Sequence, residues 1–127
     1  MATALELTPT GWARYFSAAH RRAAVELTPA QDEVRRLLVD RARQAAGALK
    51  DHFRVRRVML FGSLAHAGWF VPEGDVDLAV EGLAPEDYWK AWGLAEEIIA
   101  DRPVDLVEVE RAAEPLRRAI SRHGVEL

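Results

Sequence analysis

The sequence contains no cysteine. Disulfide bonds and thiolate metal sites are therefore excluded. The four histidines are scattered along the chain, and no two of them have the spacing of paired zinc ligands. Neither sulfur nor imidazole chemistry is therefore indicated for a metal site.

Long apolar runs and a strong excess of one charge are also missing. No run approaches the roughly 18 apolar residues that cross a bilayer, so membrane insertion is not expected. The N-terminus lacks the basic segment and apolar core of a signal peptide, which leaves a cytoplasmic location as the default expectation. The formal net charge of -3 provides no overall attraction to nucleic acid, which is not expected as a partner.

The composition itself is that of a folded protein. Half of the 127 residues are apolar and 29% are charged, which is ordinary for a globular chain and too apolar for a disordered one. We predict one compact fold in two parts. Residues 1–54 form a helical extension packed on the core, and residues 55–127 form the domain that carries the chemistry.

Two helix starts stand in the N-terminal part. The tetrapeptide "ELTP" occurs twice, and in each copy a threonine can cap a helix whose first residue is proline: Thr8 before Pro9, and Thr28 before Pro29. Gln31 lies three residues beyond Thr28, where its side chain can complete a capping box. The sequence therefore predicts two N-terminal helices, the second supported by an apolar stripe from Val34 to Phe53.

The pattern changes from residue 55 onwards. Three short runs rich in β-forming residues are "VRRVMLFG" (55–62), "DVDLAVEG" (75–82) and "VDLVEVE" (104–110). Helical spacing follows each of them: a helix start after Gly62, a helix from Pro85, and a last helix that stops at Gly124. The predicted order is ααβαβαβα, an α/β (α+β) fold with a small mixed sheet of about three or more strands flanked by helices.

The chemical interpretation rests on aspartates at the starts of two predicted strands. Side chains alternate along a strand, so Asp75 and Asp77 share one face. Such neighbours repel each other away from water unless one is protonated or a cation lies between them. Mg²⁺ is the obvious cation, because it prefers oxygen ligands. If the third strand lies beside the second, Asp105 reaches the same cluster.

Gly62 and Ser63 supply the complementary half of a phosphate-transfer site. Free backbone amides at a helix start bind anions, and glycine allows a phosphate to approach the backbone closely. A Walker P-loop is absent, and an EF-hand fails because Ala79 and Val80 occupy positions that need a polar ligand and a glycine. Carboxylates opposite a phosphate cradle favour metal-assisted phosphoryl or nucleotidyl transfer.

These residues resemble a known family. "GS", eleven intervening residues, "DVD" and a further strand-borne aspartate are similar to the minimal nucleotidyltransferase domain of the DNA polymerase β superfamily. The resemblance implies the nucleotidyltransferase fold, with Gly62 and Ser63 holding the phosphates of ATP. It also implies that Asp75, Asp77 and Asp105 bind Mg²⁺ as the catalytic carboxylates, with Asp105 helping to activate the acceptor hydroxyl.

Small stand-alone domains of this kind are often antitoxins of HEPN/MNT toxin–antitoxin pairs. The resemblance therefore implies an antitoxin that transfers AMP from ATP to a tyrosine hydroxyl of a HEPN-type toxin. Two alternatives stay open: a non-enzymatic antitoxin that neutralises its partner by binding, and an enzyme that modifies a small molecule such as an aminoglycoside. Both a homo-oligomer and a hetero-oligomer are compatible with the N-terminal helices.

Three further features have more than one interpretation. His66 lies near the Gly-Ser pair and could act in the site or only in the fold. Trp69 and Phe70, in the following loop, could stack on a base, anchor a partner or pack over the core. Trp89 and Trp92 are three apart on a predicted helix, and we predict that they serve the core or a helix contact and not a cofactor site.

Overall fold

The computed structural model describes residues 26–127. The helices and strands, in chain order, are α1 (Pro29–Phe53), β1 (Arg57–Phe61), β2 (Val76–Glu81), α2 (Tyr88–Ile99), β3 (Val104–Glu108), α3 (Glu114–His123) and β4 (Val125–Glu126). Short 3-10 turns lie in the connections between them. The first predicted helix, starting at Pro9, lies outside the described residues.

Helix α1 begins where the capping signal predicts. The Gln31 amide donates to the Thr28 hydroxyl at 3.2 Å, and the Thr28 amide donates to the Gln31 side-chain oxygen at 3.0 Å, so the capping box is confirmed. The helix buries one stripe against the sheet, composed of Leu38, Ala42, Ala45, Ala46 and Leu49. This stripe shares one apolar cluster with the strands. A division of the chain at residue 54 stays a prediction.

The sheet is mixed, as the sequence predicts, and its strand order is β3-β2-β1-β4. Strand β1 is antiparallel to β2 and to the short β4, whereas β2 and β3 are parallel. A parallel pair requires a long crossover connection, and α2 provides it between β2 and β3. The predicted fold class, a mixed α/β fold with helices around a small sheet, is confirmed.

Alternation along the strands gives the sheet two different faces. One face lies under α1 and α2, and its fully buried side chains include Val58, Leu60, Leu78, Val80 and Leu106. The other face carries Met59, Phe61, Ala79 and Val107, which pack with Leu116 and Ile120 of α3. Asp77 and Asp105 alternate with the first set and therefore belong to the face that α3 covers.

Several predicted boundaries need correction. Strand β1 begins at Arg57 instead of Val55, β3 ends at Glu108 instead of Glu110, and β2 begins at Val76, so that Asp75 precedes its strand. Strand β4 was not predicted. Its two residues form no pattern of their own, and they become a strand only because Val125 and Glu126 pair with β1.

The prediction of a helix after Gly62 is wrong. Two 3-10 turns, Ser63–Ala65 and Ala67–Trp69, replace it, and His66 between them is extended with φ -132° and ψ 132°. The His66 ring donates from Nε2 to the carbonyl of His123 at 2.7 Å. This hydrogen bond to the end of α3 holds His66 in an extended conformation. A continuous helix after Gly62 would need a helical conformation at His66.

Over residues 26–127, no helix combines the length and the apolar character that a membrane span requires.

Candidate functional site

The residues that the sequence singles out meet at one end of the sheet. Strand β1 ends there at Phe61, while β2 and β3 begin there. Phe61 lies opposite Asp77 in the antiparallel pair, and Asp77 lies opposite Asp105 in the parallel pair. Because both pairs include Asp77, this residue lies between the end of β1 and the start of β3.

Asp77 and Asp105 form a buried pair of carboxyl groups. Only 5% of Asp77 and 4% of Asp105 is exposed. Burial raises the pKa of Asp77 well above its ordinary value of 3.8, and the negative charges of Asp105 and then Asp75 raise it further. A hydrogen bond between the two side chains acts in the same direction on the pKa of Asp77.

Within the part of the chain that the structure describes, no ion pair balances the charge of Asp75 or Asp77. Among residues 26–127, the Lys and Arg side chains that form ion pairs do so with other acids, and none pairs with Asp75 or Asp77. The same residues contain no group of three or more acidic, His or Cys side chains whose positions could hold a metal ion. The donor set nevertheless fits Mg²⁺ by its chemistry, since oxygen ligands with unbalanced negative charge are what this cation prefers.

Gly62 brings the backbone of the turn against these carboxylates. Its φ of +76° is a conformation that side chains rarely adopt. A Cβ atom at this position would overlap the carboxylate of Asp77. Glycine is therefore required for two reasons, the backbone conformation and the close approach of the turn to Asp77.

Ser63, the residue after Gly62, is buried. A Cβ atom added to Gly74 would lie 3.1 Å from the Ser63 hydroxyl oxygen, which locates this hydroxyl next to the residue that precedes Asp75. The predicted helix dipole behind Ser63 is absent, because only a three-residue 3-10 turn follows. A phosphate at this turn would therefore depend on local amides and the hydroxyl, not on a helix.

Two arginines outside the predicted site residues hold the segments around the site. Arg35 of α1 donates from Nη2 to the carbonyl of Ala65 at 3.2 Å, which ties the N-terminal helix to the Gly-Ser turn. Arg102 donates to the carbonyl of Pro72 at 2.5 Å, and the Val76 amide donates to the carbonyl of Pro103 at 2.9 Å. Contacts between residues 30 apart leave no pattern in the sequence, so only the folded chain shows them.

The aromatic candidates that follow the Gly-Ser turn, His66, Trp69 and Phe70, all pack within the fold. The ring of His66 is bonded to the backbone of α3, and Trp69 packs edge-on against the rings of His66 and His123. Phe70 is half-buried against the core. These contacts fix the loop between the Gly-Ser turn and Asp75.

The tryptophans of α2 differ from each other. Trp92 packs partly against the core, as predicted. Trp89 is 74% exposed, and the prediction that it serves the core or a helix contact is wrong.

Comparison with known proteins agrees with the fold. The family model described as polymerase beta, nucleotidyltransferase matches residues 44–127, well over half of the chain. No curated protein sequence matches the chain. This protein belongs to the polymerase beta nucleotidyltransferase family.

Solved structures with the same fold include a minimal nucleotidyltransferase, 26% identical, with a TM-score of 0.61 over 73% of this chain and 95% of that one. A variant of the MntA–HepT toxin–antitoxin complex is 24% identical, with a TM-score of 0.57 over 67% of this chain and 69% of that one. A toxin–antitoxin complex with AMP-PNP is 23% identical, with a TM-score of 0.55 over 68% and 69%. Because the last two structures are less than 25% identical to this chain, their similarity shows only a shared fold.

Proposed function

We propose that this protein is a Mg²⁺-dependent nucleotidyltransferase that transfers AMP from ATP to a hydroxyl group of a HEPN-type toxin, and that it acts as the antitoxin of that pair. The observation that carries the proposal is the close group formed by Gly62, Asp75, Asp77 and Asp105 in a chain of this family. The structural similarity to toxin–antitoxin complexes, one of them with AMP-PNP, supports the choice of partner and nucleotide. The proposal includes a cytoplasmic location, where ATP is available.

In this proposal Asp75, Asp77 and Asp105 hold Mg²⁺. When bound, the cation supplies positive charge that neutralises the phosphates and stabilises the charge that develops during transfer. The excess of negative charge around Asp77 supports this assignment, because a buried carboxylate group of this kind favours either a proton or a cation.

The reaction is a substitution at the α-phosphorus of ATP. The acceptor oxygen, that of a tyrosine in the toxin, forms a new P–O bond. The bond between the α-phosphorus and the oxygen that bridges to the β-phosphate breaks, and pyrophosphate leaves with its electron pair. The hydroxyl proton passes to the carboxylate of Asp105. The Gly62–Ser63 turn orients the phosphates beside these carboxylates.

A label-transfer experiment tests the proposal. The protein is incubated with Mg²⁺, with ATP labelled in its α-phosphate, and with the product of the adjacent gene. We expect label on the partner from the wild type and none from the Asp75→Asn, Asp77→Asn double variant. Asp51→Asn, an exposed change on α1, is the matched control and should retain transfer.

The other outcomes reject part of the proposal or favour a different function. Label that persists in the double variant rejects the assignment of the metal ligands. Absence of label, together with co-purification and with neutralisation that survives in the double variant, favours an antitoxin that acts by binding. Label on an aminoglycoside alone favours an enzyme for small molecules.

A further inference from the structure

Helix α2 carries an exposed tryptophan on its outer side, stacked on a partly buried one. Trp89 is the most exposed large apolar side chain in residues 26–127. Its ring stacks on that of Trp92, with centroids 5.5 Å apart and planes only 6° from parallel. Tyr88 meets both indoles edge-on, with centroid distances of 5.2 Å and 5.6 Å. The buried ring of Tyr88 therefore supports the two stacked indoles in a defined arrangement, with Trp89 at the surface.

Tyr88 anchors this arrangement to the sheet. Its hydroxyl donates to the carbonyl of Leu106 in β3 at 2.5 Å. Burial, followed by the charges of Glu108 and Asp105, raises the pKa of Tyr88 to about 12, so the hydroxyl keeps its proton. Because the ring beneath the indoles is fixed, little side-chain freedom remains to be lost when something binds to them.

Several residues of this surface contribute little to the stability of the fold or oppose it. An indole that is largely in water gains little from burial. The buried Nε1 of Trp92 has no hydrogen-bond partner among the described residues. Gly93 lies inside a helix, where glycine is unfavourable, and a Cβ atom there would meet nothing within 4 Å, so packing within the chain does not require it. Local choices that conflict with stability are expected where a surface has a function.

The charges beside the aromatic pair are mostly negative. Glu86 precedes the helix, and Glu96 and Glu97 lie one to two turns beyond the indoles, on the exposed side. None of these three acids forms an ion pair with a described residue. Lys90 is the one basic residue of α2. The surface thus combines indole faces with carboxylates, and both attract cationic side chains.

We propose that the α2 tryptophan surface, composed of Trp89, Trp92, Gly93, Glu96 and Glu97, binds a basic amphipathic segment of a partner protein. An Arg or Lys side chain would lie over the indoles and contact the carboxylates, and an apolar side chain would approach the helix at Gly93. The surface belongs to the helical layer on the opposite face of the sheet from Asp77 and Asp105. The inference does not depend on the proposed reaction.

The test compares two synthetic amphipathic helices that share their leucines and differ only in carrying arginines or glutamates. Calorimetric titration should show binding of the arginine peptide and none of the glutamate peptide. Trp89→Ala should weaken binding by about tenfold or more, as expected for an aromatic anchor. The Glu96→Gln, Glu97→Gln double variant should weaken binding and reduce its dependence on salt.

Matched controls come from α1. Leu37→Ala removes an exposed apolar side chain elsewhere, and the Glu33→Gln, Asp51→Asn double variant removes two exposed negative charges. Both should bind the arginine peptide like the wild type. Circular dichroism establishes that each variant is folded.

Three outcomes overturn the inference. The first is equal binding of the two peptides, and the second is a Trp89→Ala effect no larger than that of Leu37→Ala. The third is a dimer seen by light scattering that Trp89→Ala abolishes, which would assign the surface to a second copy of the chain. Since the titration contains neither ATP nor Mg²⁺, a failure of the proposed transfer reaction would not change its result.

Discussion

The two faces of the sheet use alternate residues of the same strands in different ways. Under α1 and α2 the side chains are aliphatic and fully buried, with Leu78 between Leu60 and Leu106. On the face under α3, the apolar side chains give way to Asp77 and Asp105 at the starts of β2 and β3. The aliphatic face stabilises the strands, and the other face can therefore hold buried acids that alone would destabilise them.

The comparison also shows why the strand register matters. Side chains repeat every two residues, so a shift by one residue would turn Asp77 into the aliphatic layer and Leu78 towards the site. Burial of the aliphatic side chains thus fixes the direction of the carboxylates. Substitutions on each face should accordingly have different consequences.

Leu78→Ala should have the largest effect on stability. Leu78 is fully buried in the aliphatic face, and truncation of such a leucine lowers the free energy of unfolding by about 2–5 kcal/mol. Urea denaturation measures this loss. Val125→Ala, in the exposed strand β4, is the control and should change stability by about 0.5 kcal/mol or less. If Leu78→Ala lowers the free energy of unfolding by less than about 1 kcal/mol, the assignment of this face as the stabilising one is contradicted.

Gly62→Ala should reduce stability less than Leu78→Ala does, but it should also disturb the candidate site at Asp77. The positive φ alone costs about 1–2 kcal/mol, and the new methyl group would displace the Asp77 carboxylate. Nucleotide affinity and thermal unfolding together measure the change. Gly47→Ala in α1 is the matched control, because its methyl group would meet nothing within 4 Å, and it should add about 0.5–1 kcal/mol. Similar results for the two variants would argue against a close approach of Gly62 to Asp77.

Asp77→Asn should change how stability depends on pH. The folded-state pKa of Asp77 is raised, so its contribution to stability is complete below about 3.8 and is lost as the pH rises through the folded-state value. One proton accounts for a slope of at most about 1.4 kcal/mol per pH unit. The variant lacks this loss, and its stability relative to the wild type should therefore rise with pH in metal-free buffer.

Measuring the same stabilities in the presence of Mg²⁺ extends this test to the metal assignment. The cation should recover stability in the wild type at neutral pH, by mass action on the folded state, and should recover less in Asp77→Asn. Parallel stability curves for the two proteins, with and without Mg²⁺, would count against both the raised pKa and the metal assignment.

Arg102→Ala should have the smallest effect. Its hydrogen bond to the carbonyl of Pro72 holds the loop that leads to Asp75, and loss of one such partly exposed bond costs about 1 kcal/mol. We expect a modest fall in Mg²⁺ affinity and faster hydrogen exchange at the amide of Gly74, with little change in global stability. Unchanged exchange at Gly74 would show that the loop is held by other contacts.

Local patterns predicted the parts of the fold that depend on neighbouring residues. The capping box at Thr28 and the apolar stripe of α1 are examples, because both depend on residues within a few turns. The predicted helix after Gly62 failed for the opposite reason. His66 takes an extended conformation through a hydrogen bond to His123, 57 residues further on, and no local signal carries that contact.

For the candidate site, the sequence alone determined which residues carry oxygen ligands, and that Asp77 and Asp105 point away from the aliphatic side chains beside them. Their encounter was decided only by the tertiary structure. The crossover through α2 makes β3 parallel to β2 and brings Asp105 opposite Asp77, while the antiparallel pairing of β1 brings Gly62 against the same carboxylate. Alternation is a property of each strand by itself, whereas register arises from burial of the helices and strands together.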